Sequence, residues 1–394
     1  MSKYTVVTMP GDGIGKNVLD VTLGVLDKVG FDAKYVHADI GWEFWKSEGN
    51  PLPQRTLDLL EKHKLSLFGA ITSKPKEKAA AELSEKLKDK GLVYYSPIVG
   101  LRQHFNLQLC IRPCKTFVGN PLNFIRRTAD GGFEEPEVDV VIFRQNTEGL
   151  YCGVEWTNPP DNVRAAFETH KKMAAFKDVP SAELAISSRI FSWGACKFIT
   201  DAAFTHADKY GYKSVTVCEK PNVIRETSGM MEAAAREAKK KFPHIEHWST
   251  NIDAQMMWLT KNPEDYGVIV CGNMFGDIAS DGFAGLTGGL GFALSANVGA
   301  EIAVFEPTHG SAPKYADYKI SIVNPIAMIL SACMLLDHVD ELDKAKRIRK
   351  AIADVIIEGR VQTYDMKKLR GSEDAIKQGA ASTEQMADAI IELL

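Results

Sequence analysis

The sequence predicts an α/β protein with a substantial parallel sheet, and three observations lead there. Short runs rich in β-branched residues, such as "YTVVTMP", "LSLFGAI" and "VDVVIFRQN", have the length and composition of buried strands. Amphipathic stretches of helical period lie between such runs, among them "GKNVLDVTLGVLDKVG" and "GMMEAAAREAKKKF". A strand–loop–helix pattern also repeats, first in "KSVTVCEKPNV" and its following helix, then in "YGVIVCGNMFGDIASDG".

Taken in order, "YTVVTMP" is a strand and "GDGIG" a glycine turn that enters a helix. "LSLFGAI" is a second buried strand. The charged, Ala-rich segment "KEKAAAELSEKLKDKG" reads as a solvated surface helix. "VDVVIFRQN" is a strand that ends in polar residues. "WTNPPDNVRAAFETHKK" breaks the alternation with proline and asparagine and reads as an excursion. "IVNPIAMILSACMLL" is interrupted by Asn324, Pro325 and Ser331, so a buried helix is expected rather than a bilayer span. "STEQMADAIIELL" is a capped terminal helix. There is no internal repeat and no low-complexity linker.

Bulk properties narrow the function. A chain of 394 residues accommodates two or three domains. With 45% hydrophobic and 25% charged residues, the composition is that of a soluble globular protein. A net charge of −4 argues against a general nucleic-acid or anionic-membrane binder. The N-terminal strand lacks the longer apolar segment of a signal peptide. The seven cysteines are scattered, and the one close pair, Cys110 and Cys114, has no matching second pair for a zinc site. Reduced thiols and a cytoplasmic location are the expectation.

Several motifs carry candidate chemistry. "PGDGIG" fails the G-x-G-x-x-G spacing, and no ribose-binding acid follows at the right distance, so a structural turn is favoured. In "GNMFGDIASDG", Asp277 and Asp281 are four apart at the start of a helix and face the same way. A hard divalent cation would join two such carboxylates; the alternative is a solvated acidic helix start. Arg102 in "SPIVGLR" and Arg112 in "QLCIRP" suit carboxylates, although Ile98 and Val99 give that site an apolar edge. Lys220 and Asn222 directly follow a strand, where α/β sites form. Arg144 ends another strand, with Tyr151 seven residues on. "EPTHGSAPKY" offers His309, Gly310, Ser311, Ala312 and Pro313 as a loop for adenine and phosphate, or as an ordinary surface turn.

In this order the motifs closely resemble those of the β-decarboxylating dehydrogenases of isocitrate, homoisocitrate and 3-isopropylmalate. The resemblance runs from "PGDGIG" through "LRQHFNLQLCIRP", "FRQNTEGLY", "EKPNV", "GNMFGDIASD" and "EPTHGSAPKY" to "TYDMKKL". It implies the isocitrate/isopropylmalate dehydrogenase-like fold, not a Rossmann fold. That fold has a large cofactor-binding α/β domain (1–107 and 288–394) and a small substrate and dimerisation α/β domain (108–147 and 193–287). A clasp-like excursion (148–192) completes it. The resemblance also implies a homodimer or larger assembly whose active sites are shared between subunits.

Carried over by motif, Arg102, Arg112 and Arg144 clamp substrate carboxylates, with Ser96 as a further contact. Tyr151 resembles the family's acid. Lys220 resembles its base, supplied from the second subunit. Asp277 and Asp281 match metal-binding aspartates for Mg²⁺ or Mn²⁺, and Asp253 matches a third from the neighbouring chain. The implied reaction is oxidation of a 2-hydroxy acid with hydride passing to a nicotinamide, then loss of CO₂ and protonation of the remaining carbon. Non-catalytic regulatory subunits of this family usually lack part of the acid, base or metal set, and here that set is whole.

NAD-using members carry aspartate and isoleucine after "HGSAP"; here Lys314 and Tyr315 stand there, and "TYDMKKL" adds Tyr364 and Lys368. A cation in place of that carboxylate favours a 2′-phosphate, hence NADP. Thr72 and Ser73 stand near threonines of the usual nicotinamide loop, and Asn324 joins the cofactor set. The Ser-x-Asn usual in isocitrate dehydrogenases keeps Ser96 but has Ile98 for the asparagine, as homoisocitrate and some isopropylmalate enzymes do. Gln145 replaces a common glutamate. The cofactor end points to isocitrate and the substrate loop points away; isocitrate is the expected substrate.

Overall fold

The computed structural model describes residues 2–394. Its strands are β1 (Tyr4–Gly11), β2 (Ala33–His37), β3 (Leu65–Ala70), β4 (Leu109–Lys115), β5 (Arg126–Arg127), β6 (Phe133–Glu134) and β7 (Asp139–Gln145). After these come β8 (Glu155–Thr157), β9 (Ala185–Ser187), β10 (Ser214–Glu219), β11 (Glu246–Asn251), β12 (Val268–Cys271), β13 (Leu294–Val298) and β14 (Ala303–Pro307). Ten of them form one sheet in the order β11-β10-β12-β7-β4-β13-β14-β3-β1-β2, while β5–β6 and β8–β9 are separate hairpins.

The sheet has two parallel quartets, β14-β3-β1-β2 and β7-β12-β10-β11. They are joined through three successive antiparallel pairings, β14–β13, β13–β4 and β4–β7. Three reversals leave the two quartets running in opposite directions. The inner parallel strands are mostly buried because helices cover them, while the edge strands β2 and β11 are partly exposed. One core packs the helices Gly15–Lys28, Ile326–His338 and Leu342–Glu358 with the first quartet, and a second packs Trp193–Tyr210 and Arg225–Lys239 with the other.

The helix Ile326–His338 is buried along most of its length, and its Ser331 hydroxyl donates to the Ala327 carbonyl at 2.8 Å. The terminal helix Thr383–Glu392 has a reciprocal cap: Ser382 Oγ accepts from Gln385 N–H at 3.1 Å and Gln385 Oε1 accepts from Ser382 N–H at 2.9 Å. Such a cap contributes about 1 kcal/mol.

The charged segment after β3 differs from its sequence reading. Only Lys76–Ala81 is helical, followed by a short 3₁₀ turn at Lys88–Lys90. Ala79, Leu83 and Leu87 are buried against Trp42 and Trp45. Trp45 Nε1 donates to the Ala79 carbonyl at 2.8 Å, and Glu82 accepts from Trp42 Nε1 at 2.6 Å while pairing with Lys74. The apolar residues recur every fourth position among the charges, and the two distant tryptophans recruit them.

Candidate active site

The antiparallel middle of the sheet builds the floor of the site. Paired residues share a face in an antiparallel ladder, and alternate residues return to it. Cys110 pairs with Arg144 and Asn297, and Ser295 pairs with Glu306. Cys110, Arg112, Arg144, Ser295, Asn297 and Glu306 therefore lie on one face. Arg102 reaches it from the helix Pro97–His104: its Nε donates to Asn297 Oδ1 at 3.0 Å and its Nη2 meets Glu306 Oε1 at 3.1 Å. Arg112 Nη1 donates to Ser280 Oγ at 2.7 Å and Asp277 Oδ1 at 3.2 Å. Arg144 Nε donates to Asn273 Oδ1 at 3.0 Å, and its Nη1 pairs with Asp277.

All three arginines are buried. Burial, together with the neighbouring Arg112 and Arg102, draws the Arg144 guanidinium down to about 10, so it stays charged at neutral pH. Cys110, wholly buried beside them, reports their field. Burial alone would push its thiol up, yet the three guanidiniums bring it below its ordinary value. Arg112 Nε is buried without a hydrogen-bond partner. A buried donor of this kind calls for an acceptor, and a carboxylate supplies one.

Asp277 and Asp281 project from the helix Asn273–Leu286 beside this floor. Asp281 lies 3.5 Å from Arg112 Nη1. Burial lifts Asp281 above the ordinary carboxylate range, with Asp277 adding to the lift and Arg112 and Arg144 opposing it. Two partly exposed carboxylate donors, one disfavoured as an anion, fit a hard divalent cation as part of a ligand set. Among the described residues, no cluster of three or more His, Cys, Asp or Glu side chains could hold a metal. Asp253 is tied instead to Lys220 Nζ. No hydrogen bond or ion pair among the described residues joins that pair to the arginine–aspartate floor. Tyr151 is 44% exposed, with Arg144 Cζ 5.8 Å from its ring centre.

The two residues of the apolar edge differ in exposure. Ile98 is 9% exposed and packs into the core with Val7, Met9 and Phe68, whereas Val99 is 37% exposed. Helical geometry explains the split: Ile98, Leu101 and Arg102 lie on the buried side, while Val99 turns outward. Ser96 is the N-cap of that helix, yet its hydroxyl makes no capping bond. Gln145 closes its own turn, with its Oε1 accepting from the Thr147 and Glu148 amides at 2.9 and 2.7 Å.

A second feature is a cavity of about 530 Å³ lined by His309, Gly310, Ala312, Tyr315, Asn324 and Tyr364, among others. His309 Nδ1 lies 3.1 Å from the Gly310 carbonyl, so that nitrogen carries the proton. His309 Nε2 is then an acceptor, buried and unpartnered. Burial also lowers the His309 pKa, keeping the ring neutral. An apolar cavity with one bare acceptor fits a heteroaromatic base with an amino group. Tyr315 and Tyr364 have ring centres 5.8 Å apart, and Lys314 Nζ sits 4.5 Å from the Tyr315 ring. Lys314 and Lys368 are exposed cations. Asn222 is exposed in the turn after Lys220 and is not among the residues lining the cavity.

The glycine turn "PGDGIG" anchors this cavity. Gly13 has φ of +54°, and a Cβ there would lie 2.0 Å from the Ser311 carbonyl oxygen. Ile14 N–H donates to that same oxygen at 2.9 Å, and the Ser311 and Thr72 hydroxyls are 2.6 Å apart. Asp12 accepts from the Trp42 and Thr72 amides at 2.6 and 2.7 Å. The turn thus works structurally, locking the His309–Pro313 loop to the loop after β3.

Several contributors escaped the sequence reading. Asn297 and Glu306 hold Arg102, Asn273 holds Arg144, and Asp365 lines the cavity while accepting from Asn324 Nδ2 at 3.1 Å. For Asp365 the available signal was its place beside Tyr364 in "TYDMKKL".

Comparison with known proteins agrees with this geometry. The isocitrate/isopropylmalate dehydrogenase family profile matches residues 5–390. Protein DlpA of Legionella pneumophila is 38% identical over 98% of this chain, and the chain spans 58% of that protein's length. Isocitrate/homoisocitrate dehydrogenase of Thermus thermophilus is 34% identical, with 99% of this chain and 98% of that enzyme aligned. The crystal structure of isocitrate dehydrogenase from Methylococcus capsulatus superposes with a TM-score of 0.80 at 33% identity, covering 99% of both chains. The chain belongs to the isocitrate/isopropylmalate dehydrogenase family.

Proposed function

We propose that this protein catalyses the NADP-dependent, Mg²⁺- or Mn²⁺-dependent oxidative decarboxylation of isocitrate to 2-oxoglutarate. The observation that carries the cofactor assignment is Lys314 over Tyr315 beside Tyr364 at the cavity. A lysine there attracts a 2′-phosphate where a carboxylate would repel it. Arg102, Arg112 and Arg144 bind and orient the substrate carboxylates from a rigid floor. Bound at Asp277 and Asp281, the cation would act as a Lewis acid on the substrate oxygens. A bound nicotinamide would supply the hydride acceptor, while Lys220 accepts the hydroxyl proton and Tyr151 returns a proton to carbon after CO₂ departs.

The reading includes a homodimer. Lys220 and Asp253 are a pair apart from the arginine floor, and they serve the neighbouring subunit's site. Met257, Trp258 and Ile278 are exposed apolar residues near these segments and suit a subunit contact. In the division into 1–107 with 288–394 and 108–147 with 193–287, the named cavity residues belong to the larger part and the lysine and aspartates to the smaller. No helix among the described residues is long and apolar enough to cross a membrane, and all seven cysteines are free thiols. A cytoplasmic location accords with both.

A second reading, homoisocitrate or 3-isopropylmalate as substrate, is favoured by Val99. It places an exposed apolar side chain three residues from Ser96, on the same helix as Arg102. Initial rates with isocitrate, homoisocitrate and 3-isopropylmalate, each with NADP and NAD at fixed Mn²⁺, decide between them. Highest kcat/KM for isocitrate with NADP is the expected result. Preference for a longer or branched acid would move the assignment to the second reading, and equal efficiency with both cofactors would remove the role given to Lys314.

A further inference from the structure

We propose that the largely buried Arg189–Glu219 ion pair is a positioning device that fixes the strand end carrying Lys220 to the start of the helix carrying Asp277 and Asp281. The proposal rests on the reading above only in treating those three residues as chemical groups. Glu219 is the last residue of β10 and is 1% exposed. Its two oxygens divide their work. Oε1 accepts from the Gly272 amide at 2.6 Å, immediately before the helix Asn273–Leu286. Oε2 accepts from Arg189 Nη2 at 2.6 Å and from Ser228 Oγ at 2.8 Å.

Ser228 completes the link. Its Oγ accepts from the Lys220 amide at 3.3 Å and from Arg189 Nη1 at 3.1 Å. The Arg189 guanidinium also lies against two rings, with Cζ 4.5 Å from the Phe191 centre and 5.0 Å from the Phe275 centre. Gly272 leaves the necessary room: a Cβ there would lie 2.6 Å from Glu219 Oε1 and 2.9 Å from Arg189 Nη2. A third segment joins through the backbone. Gly149 N–H donates to the Ile190 carbonyl at 2.8 Å, and the turn bearing Tyr151 begins at the next residue.

One ion pair thus sits where the chain segments of the acid, the base and the metal carboxylates converge. A buried ion pair adds little net stability relative to apolar packing, but its directional bonds fix geometry. Glu219 and Arg189 touch no reacting atom in this account. They act through the backbone of Lys220 and Gly272.

The test uses the full chain with Arg189→Lys, Glu219→Gln and Ser228→Ala. Hydrogen exchange is followed in peptides covering residues 219–224 and 272–277, Mn²⁺ affinity by electron paramagnetic resonance, and kcat and KM with the preferred acid. Arg189→Lys is expected to speed exchange in both peptides. It is also expected to lower Mn²⁺ affinity and kcat by about tenfold or more, with KM for NADP within about twofold. Ser228→Ala leaves the ion pair in place and is expected to loosen the 219–224 peptide alone while lowering kcat. Unchanged exchange in both peptides overturns the proposal, as does a lower melting temperature with wild-type kcat and Mn²⁺ affinity. If Glu219→Gln does not fold, the Ser228→Ala result decides. If the wild-type protein turns over none of the three acids, the functional reading fails, while the exchange data still decide whether the pair holds the two segments.

Discussion

The arginine floor and the His309 cavity are built on different principles. The floor is made of strands, and ladder register places each side chain. Its guanidiniums are buried, and each already meets one or more of Asp277, Glu306, Asn273, Asn297 and Ser280. The cavity is made of loops that bring together residues as distant in sequence as Ile14, His309 and Tyr364. It is largely apolar and keeps a buried acceptor, His309 Nε2, without a partner. Fixed charge needs a rigid frame because an uncompensated buried cation is costly. Shape recognition of a flat ring needs only walls and one well-placed polar atom. The floor is therefore poised for charge and the cavity for shape.

Substitutions can separate the two. The largest effect is expected from Arg112→Met, which removes the donors to Ser280 and Asp277. We expect kcat/KM for the 2-hydroxy acid to fall roughly a hundredfold, the scale of a lost charged hydrogen bond. NADP affinity, measured by fluorescence titration, should change less than about twofold. Parallel losses in both would show that floor and cavity are one cooperative unit.

The converse substitution acts on the cavity rim. Lys314→Asp combined with Tyr315→Ile should weaken NADP relative to NAD by about tenfold to thirtyfold, since one charge-assisted phosphate contact is lost and a repulsion added. KM for the acid should hold. An unchanged NADP-to-NAD ratio would place 2′-phosphate recognition elsewhere.

A smaller effect concerns pH. Asp281 is held above the ordinary carboxylate range by burial and by Asp277. A raised group takes up its proton sooner as pH falls, and a protonated carboxylate is a poor cation ligand. Mn²⁺ affinity should therefore begin to decline at a higher pH than an ordinary aspartate would give, and Asp281→Asn should flatten that decline. Burial lowers His309, so its own protonation should come at a lower pH than an ordinary histidine's. Titrations of Mn²⁺ at successive pH values check the first expectation. An identical acid limb in Asp281→Asn would remove Asp281 from the ligand set.

Legibility in the sequence followed the same divide. Periodicity and strand composition were enough for the strands around Arg144, Lys220 and Asp277, for the buried helix after Asn324 and for the Ser382 cap, because each depends on local pattern. Resemblance of the ordered motifs was enough for the family. That Ile98 turns to the core while Val99 stays exposed is not legible from linear spacing, which does not say which side of a helix faces inward. The charged segment at 76–90 reads as solvated from the sequence alone because its partners, Trp42 and Trp45, lie more than thirty residues away.

What the sequence determined by itself was therefore the kind of groups present: three arginines, two aspartates one turn apart, a lysine at a strand end, a histidine–glycine–serine loop. What only the tertiary structure decided was their company. Three successive antiparallel pairings bring Arg112, Arg144, Asn297 and Glu306 to one face. Long-range loop contacts close the cavity around His309 and Tyr364. Strand order and register depend on contacts between residues far apart in the chain, and no local pattern encodes them.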